Sequence, residues 1–203
     1  MKITFLALAT AVIAAASGTT YAQQAQLKPG DGMPRVSTEM YSATDGSLIP
    51  YYKTADKNGM LVIFSCNTCP YVVKNEETIR KTIAYARQHH VGVAIINSNE
   101  AKRDGDDAFD AMKGYAAKQG YTVPYLMDKD SKLADAFGAN HTPEVFLFSN
   151  QNTLVYKGAM NDNPATPAES KVSYINNAID AMIAGKAADP AATKSIGCSI
   201  KRK

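Results

Sequence analysis

The sequence contains no tryptophan, few cysteines and little net charge. Three cysteines among 203 residues are too few for a fold held together by disulfides, and an odd number leaves one thiol over when two are joined. A net charge of +3 gives no reason to expect nucleic acid or an anionic membrane surface as a partner. After the N-terminal residues, no segment is apolar enough to cross a membrane. We therefore expect one globular domain that acts on neither nucleic acid nor lipid.

The N-terminus has the pattern of a secretory signal peptide. A basic residue, Lys2, precedes an apolar run from Ile3 to Ala16, shorter than the roughly 20 residues that span a bilayer. Thr20 and Ala22 provide small residues for cleavage. We predict a signal peptide over 1–22, cut after Ala22, and a protein of the oxidising periplasm; a buried N-terminal helix is the alternative. No cysteine directly follows the predicted cut, so a lipid anchor is not expected there.

The remaining chain reads as an α/β domain over 23–185 and a tail over 186–203. An Asp-Gly pair at 45–46, between β-prone runs, predicts an N-terminal hairpin. Strands and helices then alternate, which implies a mixed sheet with parallel crossovers flanked by helices. The predicted strands are 60–64, 91–97, 123–127, 144–148 and 153–156. The predicted helices begin near Pro70, Asp104, Ser131 and Ala168, and the first continues to about His89.

Two cysteines with two residues between them lie where the first central strand gives way to a helix. Cys66 and Cys69 are thus expected in a first helical turn, where unpaired N–H groups favour the thiolate. Thiol–disulfide exchange needs one exposed thiolate and a second thiol that expels the product. We predict that Cys66 attacks and that the more buried Cys69 resolves. The alternative is an inert disulfide, but a loop this short adds little stability.

The order of elements resembles the thioredoxin fold over about 32–185. The pattern from Cys66 to Val72, with an ending from Gly197 to Lys201, is similar to a bacterial redoxin branch related to peroxiredoxins and the thiol-specific antioxidant group. The resemblance implies that Pro143 is a cis-proline facing the cysteine pair. It also implies that Thr142 and Pro143 frame the groove for a substrate disulfide.

Three positions depart from the family pattern. Thioredoxins carry Trp before the first cysteine, where this chain has Ser65. They carry a buried acid in the preceding strand, which is apolar here around Met60. The related redoxins often have a cysteine before Thr-Pro, and this chain has His141. The first two departures argue against efficient reduction of general protein substrates, and the third removes one resolving cysteine.

Two further activities stay open at this point. Peroxiredoxins use a threonine three residues before the reactive cysteine. Counted back from Cys69 that position is Cys66, so the threonine is absent, and a peroxidase ranks below disulfide exchange. Copper-delivery proteins of the Sco type combine two cysteines with a histidine, which His141 would supply, but they space the cysteines by three residues. His141 is otherwise a groove-rim residue or a neighbour that lowers the Cys66 pKa.

Cys198 has three interpretations. It is a third redox partner, a link to another chain, or a free thiol on a mobile tail, and we favour the free thiol. The basic end from Lys201 to Lys203 is expected to be a solvated terminus.

Several other polar stretches have plain structural explanations. The acids of 104–110 suggest calcium, but their spacing fits a helix N-terminus better. Glu144 begins a strand and needs no function, and 161–164 looks like a surface turn.

The sequence thus predicts an exported thiol–disulfide oxidoreductase that needs no dissociable cofactor or metal. Its expected partner is another protein dithiol, with small oxidised thiols or peroxides as further substrates. We expect no contact with nucleic acid, and none with a membrane after signal cleavage.

Overall fold

A computed structural model of the protein describes residues 26–36 and 38–203. The predicted signal peptide lies outside these residues. The strands are β1 (Met40–Tyr41), β2 (Leu48–Ile49), β3 (Gly59–Ser65), β4 (Gly92–Asn97), β5 (Tyr125–Met127), β6 (His141–Thr142), β7 (Glu144–Ser149), β8 (Leu154–Gly158) and β9 (Cys198–Ser199). The α-helices are α1 (Pro70–Lys74), α2 (Glu76–Gln88), α3 (Phe109–Gln119), α4 (Lys132–Phe137) and α5 (Tyr174–Ile183).

Five strands form the central sheet in the order β5-β4-β3-β7-β8. β3 pairs parallel with β4 and antiparallel with β7, so Ile63 lies between Ile95 and Val145. This confirms the predicted mixed sheet and its closing hairpin. β3 is the central strand, and its carboxyl end delivers the chain directly to Cys66.

The continuous apolar run of β3 is explained by burial on both faces. Leu61 and Ile63 belong to the core on one side, while Met60, Val62 and Phe64 belong to the core on the other. Alternate residues of a strand point to opposite faces, so both sets must be apolar when helices cover both sides. The strand that positions the cysteines is therefore held rigidly from two directions.

The predicted N-terminal hairpin is present but short. Met40 pairs with Ile49 and Tyr41 with Leu48 around the Asp-Gly turn. The second run turns into a 3-10 helix at Tyr51–Thr54 rather than continuing as a strand. The hairpin forms its own two-stranded sheet and joins β5 through a bridge between Ser42 and Leu126.

The single helix predicted from Pro70 to His89 is wrong, because the chain breaks at Asn75 into α1 and α2. The buried Asn75 side chain donates to the carbonyls of Tyr71 and Pro164, each at 2.8 Å. Asn161 and Pro164 are buried, whereas Asp162 between them is exposed, so the predicted surface turn at 161–164 is only partly at the surface. Sequence periodicity continues across the break and gives no sign of it.

The mobile tail is also a wrong prediction. β9 pairs antiparallel with β6, and the Ile200 N–H donates to the Asn140 carbonyl at 2.9 Å. Arg202 forms an ion pair of 2.7 Å with Asp135, so the basic end is not merely solvated. The tail crosses back over the end of the sheet where the cysteines lie.

None of the helices in the described part of the chain is both long and apolar enough to cross a membrane.

Candidate active site

The cysteine motif sits in the loop between β3 and α1. Cys69 is the residue that caps α1, and Cys66 lies three residues earlier, outside the helix. The expectation that both thiols occupy the first helical turn is therefore wrong. Cys66 is 2% exposed and Cys69 is 5% exposed, so Cys66 is not the more exposed of the two. Cys66 is part of the hydrophobic core on one side of the sheet, and its sulfur contacts Thr142.

Thr142, the last residue of β6, contacts the cysteine motif, and Pro143 follows it directly in the chain. The Thr142–Pro143 peptide bond is cis, as the resemblance implied. The Cys66 Sγ shares a hydrogen bond of 3.4 Å with the Thr142 Oγ1. The Cys69 Sγ lies 3.2 Å from the Thr142 carbonyl oxygen. One residue thus contacts both sulfurs, which brings the predicted groove residues and the predicted exchange pair together.

The disulfide in this structure joins Cys69 to Cys198, and Cys66 is a free thiol. The two bonded residues have a Cα–Cα distance of 6.1 Å, within the range that disulfides span without moving the backbone. Pairing of β9 with β6 sets Cys198 opposite Thr142 and so next to Cys69. The interpretation of Cys198 as a free thiol is wrong for this reason. The exchange roles of Cys66 and Cys69 stay predictions.

The buried carboxylate of Asp107 supports the cysteine loop. The sequence had suggested only that this residue belongs to a helix start. Asp107 is fully buried, and its Oδ1 accepts from the Asn67 backbone N–H at 2.9 Å and from Asn97 Nδ2 at 2.7 Å. Its Oδ2 accepts from Asn99 Nδ2 at 2.9 Å. Asn67 is the residue that follows Cys66, so Asp107 fixes the backbone between the two cysteines. These carboxylate oxygens face N–H donors, which fits a structural brace and not a calcium site.

The amide of Asn67 is held from a second direction. Its Oδ1 accepts from the Tyr125 hydroxyl at 2.8 Å, and its Nδ2 donates to the Asp106 carbonyl at 2.7 Å. Tyr125 OH also accepts from Asn97 Nδ2 at 2.9 Å. The cysteine loop is therefore preorganised by a buried polar network. Asn67, which lies between the two cysteines, is itself a member of that network.

Glu144 braces the opposite wall of the site. Its buried Oε2 accepts the backbone N–H groups of Asn140 at 2.8 Å and His141 at 3.1 Å. These residues immediately precede Thr142 and Pro143. Glu144 thus does more than begin a strand, because it fixes the loop that presents Thr142 to the sulfurs. His141 itself is half-buried and pairs with Ser199 through the backbone.

The family model described as Redoxin matches residues 28–178. The chain belongs to the Redoxin family. Members of this family are thiol oxidoreductases or peroxidases. No curated protein matches this redoxin.

Several solved structures are similar to this chain. The redoxin is 28% identical to an uncharacterized conserved protein from Geobacillus kaustophilus, with a TM-score of 0.79, covering 87% of this chain and 93% of that one. It is 30% identical to a hypothetical protein from Sinorhizobium meliloti, with a TM-score of 0.77, covering 88% of this chain and 97% of that one. A thioredoxin-like protein in the oxidized form, 16% identical with a TM-score of 0.59, shares the fold over 79% of this chain and 99% of its own. The fold is thioredoxin-like, as the sequence predicted.

Within 26–36 and 38–203, no group of three or more His, Cys, Asp or Glu side chains is arranged to hold a metal ion.

Burial raises the pKa of the Cys66 thiol, because the thiolate loses solvation at this site. A hydrogen bond from Thr142 acts in the opposite direction, the nearby Asp107 carboxylate raises the pKa, and the backbone N–H groups of Cys69 and Thr68 lower it. The net direction is upward, so these N–H groups do not make Cys66 a stable thiolate as the sequence argument expected. The Cys66 thiol therefore has to lose its proton before it can act as a nucleophile.

The Cys66 pKa predicts the pH dependence of its alkylation. A thiol is unreactive below its pKa, so the midpoint for Cys66 should lie at higher pH in the folded protein than in urea. A Thr142→Val variant should move the folded midpoint higher still, because it removes the hydroxyl that stabilises the thiolate. Iodoacetamide rates at Cys66, followed by peptide mass spectrometry from about pH 7 to about pH 10, measure both shifts. An alkylation midpoint at lower pH in the folded protein than in urea would contradict a raised Cys66 pKa.

Proposed function

We propose that this redoxin is an exported thiol–disulfide oxidoreductase in which Cys66 attacks and Cys69 resolves. The observation that carries the proposal is the convergence of both sulfurs on Thr142, next to cis-Pro143. Cys66 is the free thiol in this structure, so it is the cysteine available to attack a substrate disulfide. The signal-peptide pattern of 1–22 supports a periplasmic location.

The first half of the reaction follows from the position of Cys66. Its thiolate attacks one sulfur of a substrate disulfide, a mixed disulfide forms, and the other substrate sulfur leaves as a thiolate that takes up a proton. The Thr142 hydroxyl lies 3.4 Å from Cys66 Sγ and is placed to donate a hydrogen bond to the sulfur as its charge develops. That bond partly offsets the cost of forming an anion in a buried site.

The second half requires Cys69 in its thiol form. Cys69 attacks Cys66 Sγ, the bond to the substrate breaks, and the substrate leaves as a dithiol. The protein then holds a Cys66–Cys69 disulfide and must receive two electrons from another protein dithiol before the next cycle. A protein dithiol or a small thiol is the expected class of partner, and no dissociable cofactor enters either step.

The test is a reductase assay with the whole purified protein. Insulin and oxidised glutathione serve as substrate disulfides, dithiothreitol as the reductant, and protein whose reduced thiols were alkylated beforehand as the control. We expect the protein to accelerate disulfide reduction and the alkylated control to be inactive. Equal rates with active and alkylated protein on both substrates would refute the proposal. Hydrogen peroxide, supplied in a parallel assay, tests the peroxidase alternative.

A further inference from the structure

The C-terminal tail is folded against the candidate active site by contacts that do not involve sulfur. Lys201 N–H donates to Asn99 Oδ1 at 2.9 Å, and its carbonyl accepts from the Ala101 N–H at 2.8 Å. Arg202 Nη2 donates to the Ala139 carbonyl at 2.6 Å. Upstream, the Thr193 N–H donates to the Lys157 carbonyl at 3.0 Å. Because these contacts flank Cys198 on both sides, they keep its sulfur near Cys69 when no disulfide joins the two.

The tail backbone approaches Thr142 so closely at position 197 that only glycine fits there. A Cβ added at Gly197 would lie 2.7 Å from the Thr142 carbonyl carbon and 3.2 Å from the Pro143 nitrogen, positions that backbone atoms cannot readily vacate. The residue before Cys198 therefore needs to be glycine for β9 to reach β6. Gly197 thus allows the β6–β9 pairing that positions Cys198 beside Thr142.

We propose that Cys198 is a third redox-active cysteine, which takes over the bond to Cys69 and releases Cys66 as a free thiol. This inference rests on the proposed function of Cys66 and Cys69. Thr142 contacts the sulfurs of both, and Cys198 lies opposite Thr142 in the β6–β9 pair and is bonded to Cys69. Cys69 is thus positioned to bond either of the other two cysteines.

The transfer is an internal thiol–disulfide exchange. After a turnover, the Cys198 thiolate attacks Cys69 Sγ, the Cys69–Cys198 bond forms, and the Cys66–Cys69 bond breaks. Cys66 leaves as a thiolate and takes up the proton that Cys198 released. Each form of the protein holds one disulfide and one thiol, so no outside oxidant or reductant takes part. A tethered thiol acts at an effective concentration on the order of millimolar or above, which favours this reaction over exchange with free thiols.

The different exposure of the three cysteines explains how the transfer would help the protein to be reduced again. Cys66 is 2% exposed and Cys69 5%, whereas Cys198 is only partly buried. Moving the disulfide from Cys66–Cys69 to Cys69–Cys198 restores the attacking thiol and brings the oxidised bond to a sulfur that a reducing protein can reach. The partner dithiol is thus expected to attack Cys198 and not Cys66.

A rapid-quench experiment on the whole protein tests the transfer. Fully reduced protein is mixed with oxidised glutathione, quenched in acid at successive times, unfolded and labelled with N-ethylmaleimide, and the label is mapped. At time zero all three cysteines should be labelled. We expect label to be lost first from Cys66 and Cys69, which leaves Cys198 as the labelled thiol. The one remaining label should then move from Cys198 to Cys66, with one free thiol per chain throughout that second phase. A label that stays on Cys198 would overturn the inference, as would formation of the Cys69–Cys198 bond at an unchanged rate in Cys66→Ser.

Two readouts separate this inference from the proposed function. If Cys66→Ser consumes oxidised glutathione as fast as the wild type, the proposed function fails. If the wild type consumes it and the label never leaves Cys198, only the transfer fails. A Gly197→Ala variant should slow movement of the label from Cys198 to Cys66 without slowing the initial loss of label from Cys66 and Cys69. Gly114→Ala, where an added Cβ meets nothing within 4 Å, is the matched control. Equal transfer rates in the two glycine variants would also overturn the inference.

Discussion

A Cys66→Ser variant is expected to lower disulfide reduction to the uncatalysed rate. A serine hydroxyl is a poor nucleophile without an adjacent base, and the neighbour of Cys66 at 3.4 Å is itself a hydroxyl, that of Thr142. The substitution nearly preserves side-chain shape, so the fold should be retained. The initial rate of insulin reduction measures the effect, and urea unfolding verifies that the variant is folded.

The neighbouring Ser65→Ala variant is the control for Cys66→Ser. The Ser65 hydroxyl is buried and makes no hydrogen bond within the described structure, so its removal should leave the reductase rate within about twofold of wild type. Retention of half or more of the wild-type rate by Cys66→Ser would place the attacking thiol elsewhere, with Cys198 the first candidate.

The second large effect is expected on stability, at Asp107. Asp107→Ala leaves three donors without an acceptor in a buried site: the Asn67 N–H and the side-chain amides of Asn97 and Asn99. Each buried donor without a partner costs about 1–3 kcal/mol, so the free energy of unfolding should fall by about 3 kcal/mol or more. The urea midpoint should then fall by about 1–2 M.

Asp104→Ala is the matched control, because Asp104 is exposed on the same loop. Its unfolding free energy should change by no more than about 0.5 kcal/mol. Equal urea midpoints for the two alanine variants would show that Asp107 is not a brace. At a urea concentration where Asp107→Ala is still folded, its reductase rate should also be reduced, because the backbone at Asn67 loses its support.

The sheet could be predicted because its strands carry strong local signals. β3 and β4 are apolar without interruption, which is the pattern of strands covered on both faces, and Gly120 and Gly138 end α3 and α4 in left-handed conformations as expected of helix ends. The cis bond before Pro143 came from the resemblance, since sequence alone favours trans.

The cysteine pairing could not be predicted from local sequence. Three cysteines allow three pairings, and the spacing of Cys66 and Cys69 pointed to the pair closest in the chain. Cys69 and Cys198 are 129 residues apart in the chain, and the backbone pairing of β6 with β9 brings them together, assisted by a glycine at 197. An Ala- and Pro-rich tail has no hydrophobic period from which such a return could be inferred.

The role of Asp107 was hidden for a different reason. It lies in an acidic run next to Asp104 and Asp106, and acids before a helix have an ordinary electrostatic explanation. Only the fold shows that α3 begins two residues later, at Phe109, and that Asp107 turns inward to Asn67 while its neighbours face solvent. This chain lacks the buried strand acid of thioredoxins, but another part of the chain places the buried carboxylate of Asp107 against the cysteine loop.

The central claim is that Cys66 attacks the substrate and Cys69 resolves, and a Cys69→Ser variant tests it most directly. Without a resolving thiol the mixed disulfide should persist, and Cys198 should stay a free thiol. The variant is mixed with oxidised glutathione, quenched in acid and mapped by peptide mass spectrometry. We expect one glutathione per chain, bound to Cys66 as a mixed disulfide. Glutathione on Cys198 with an unmodified Cys66 would contradict it.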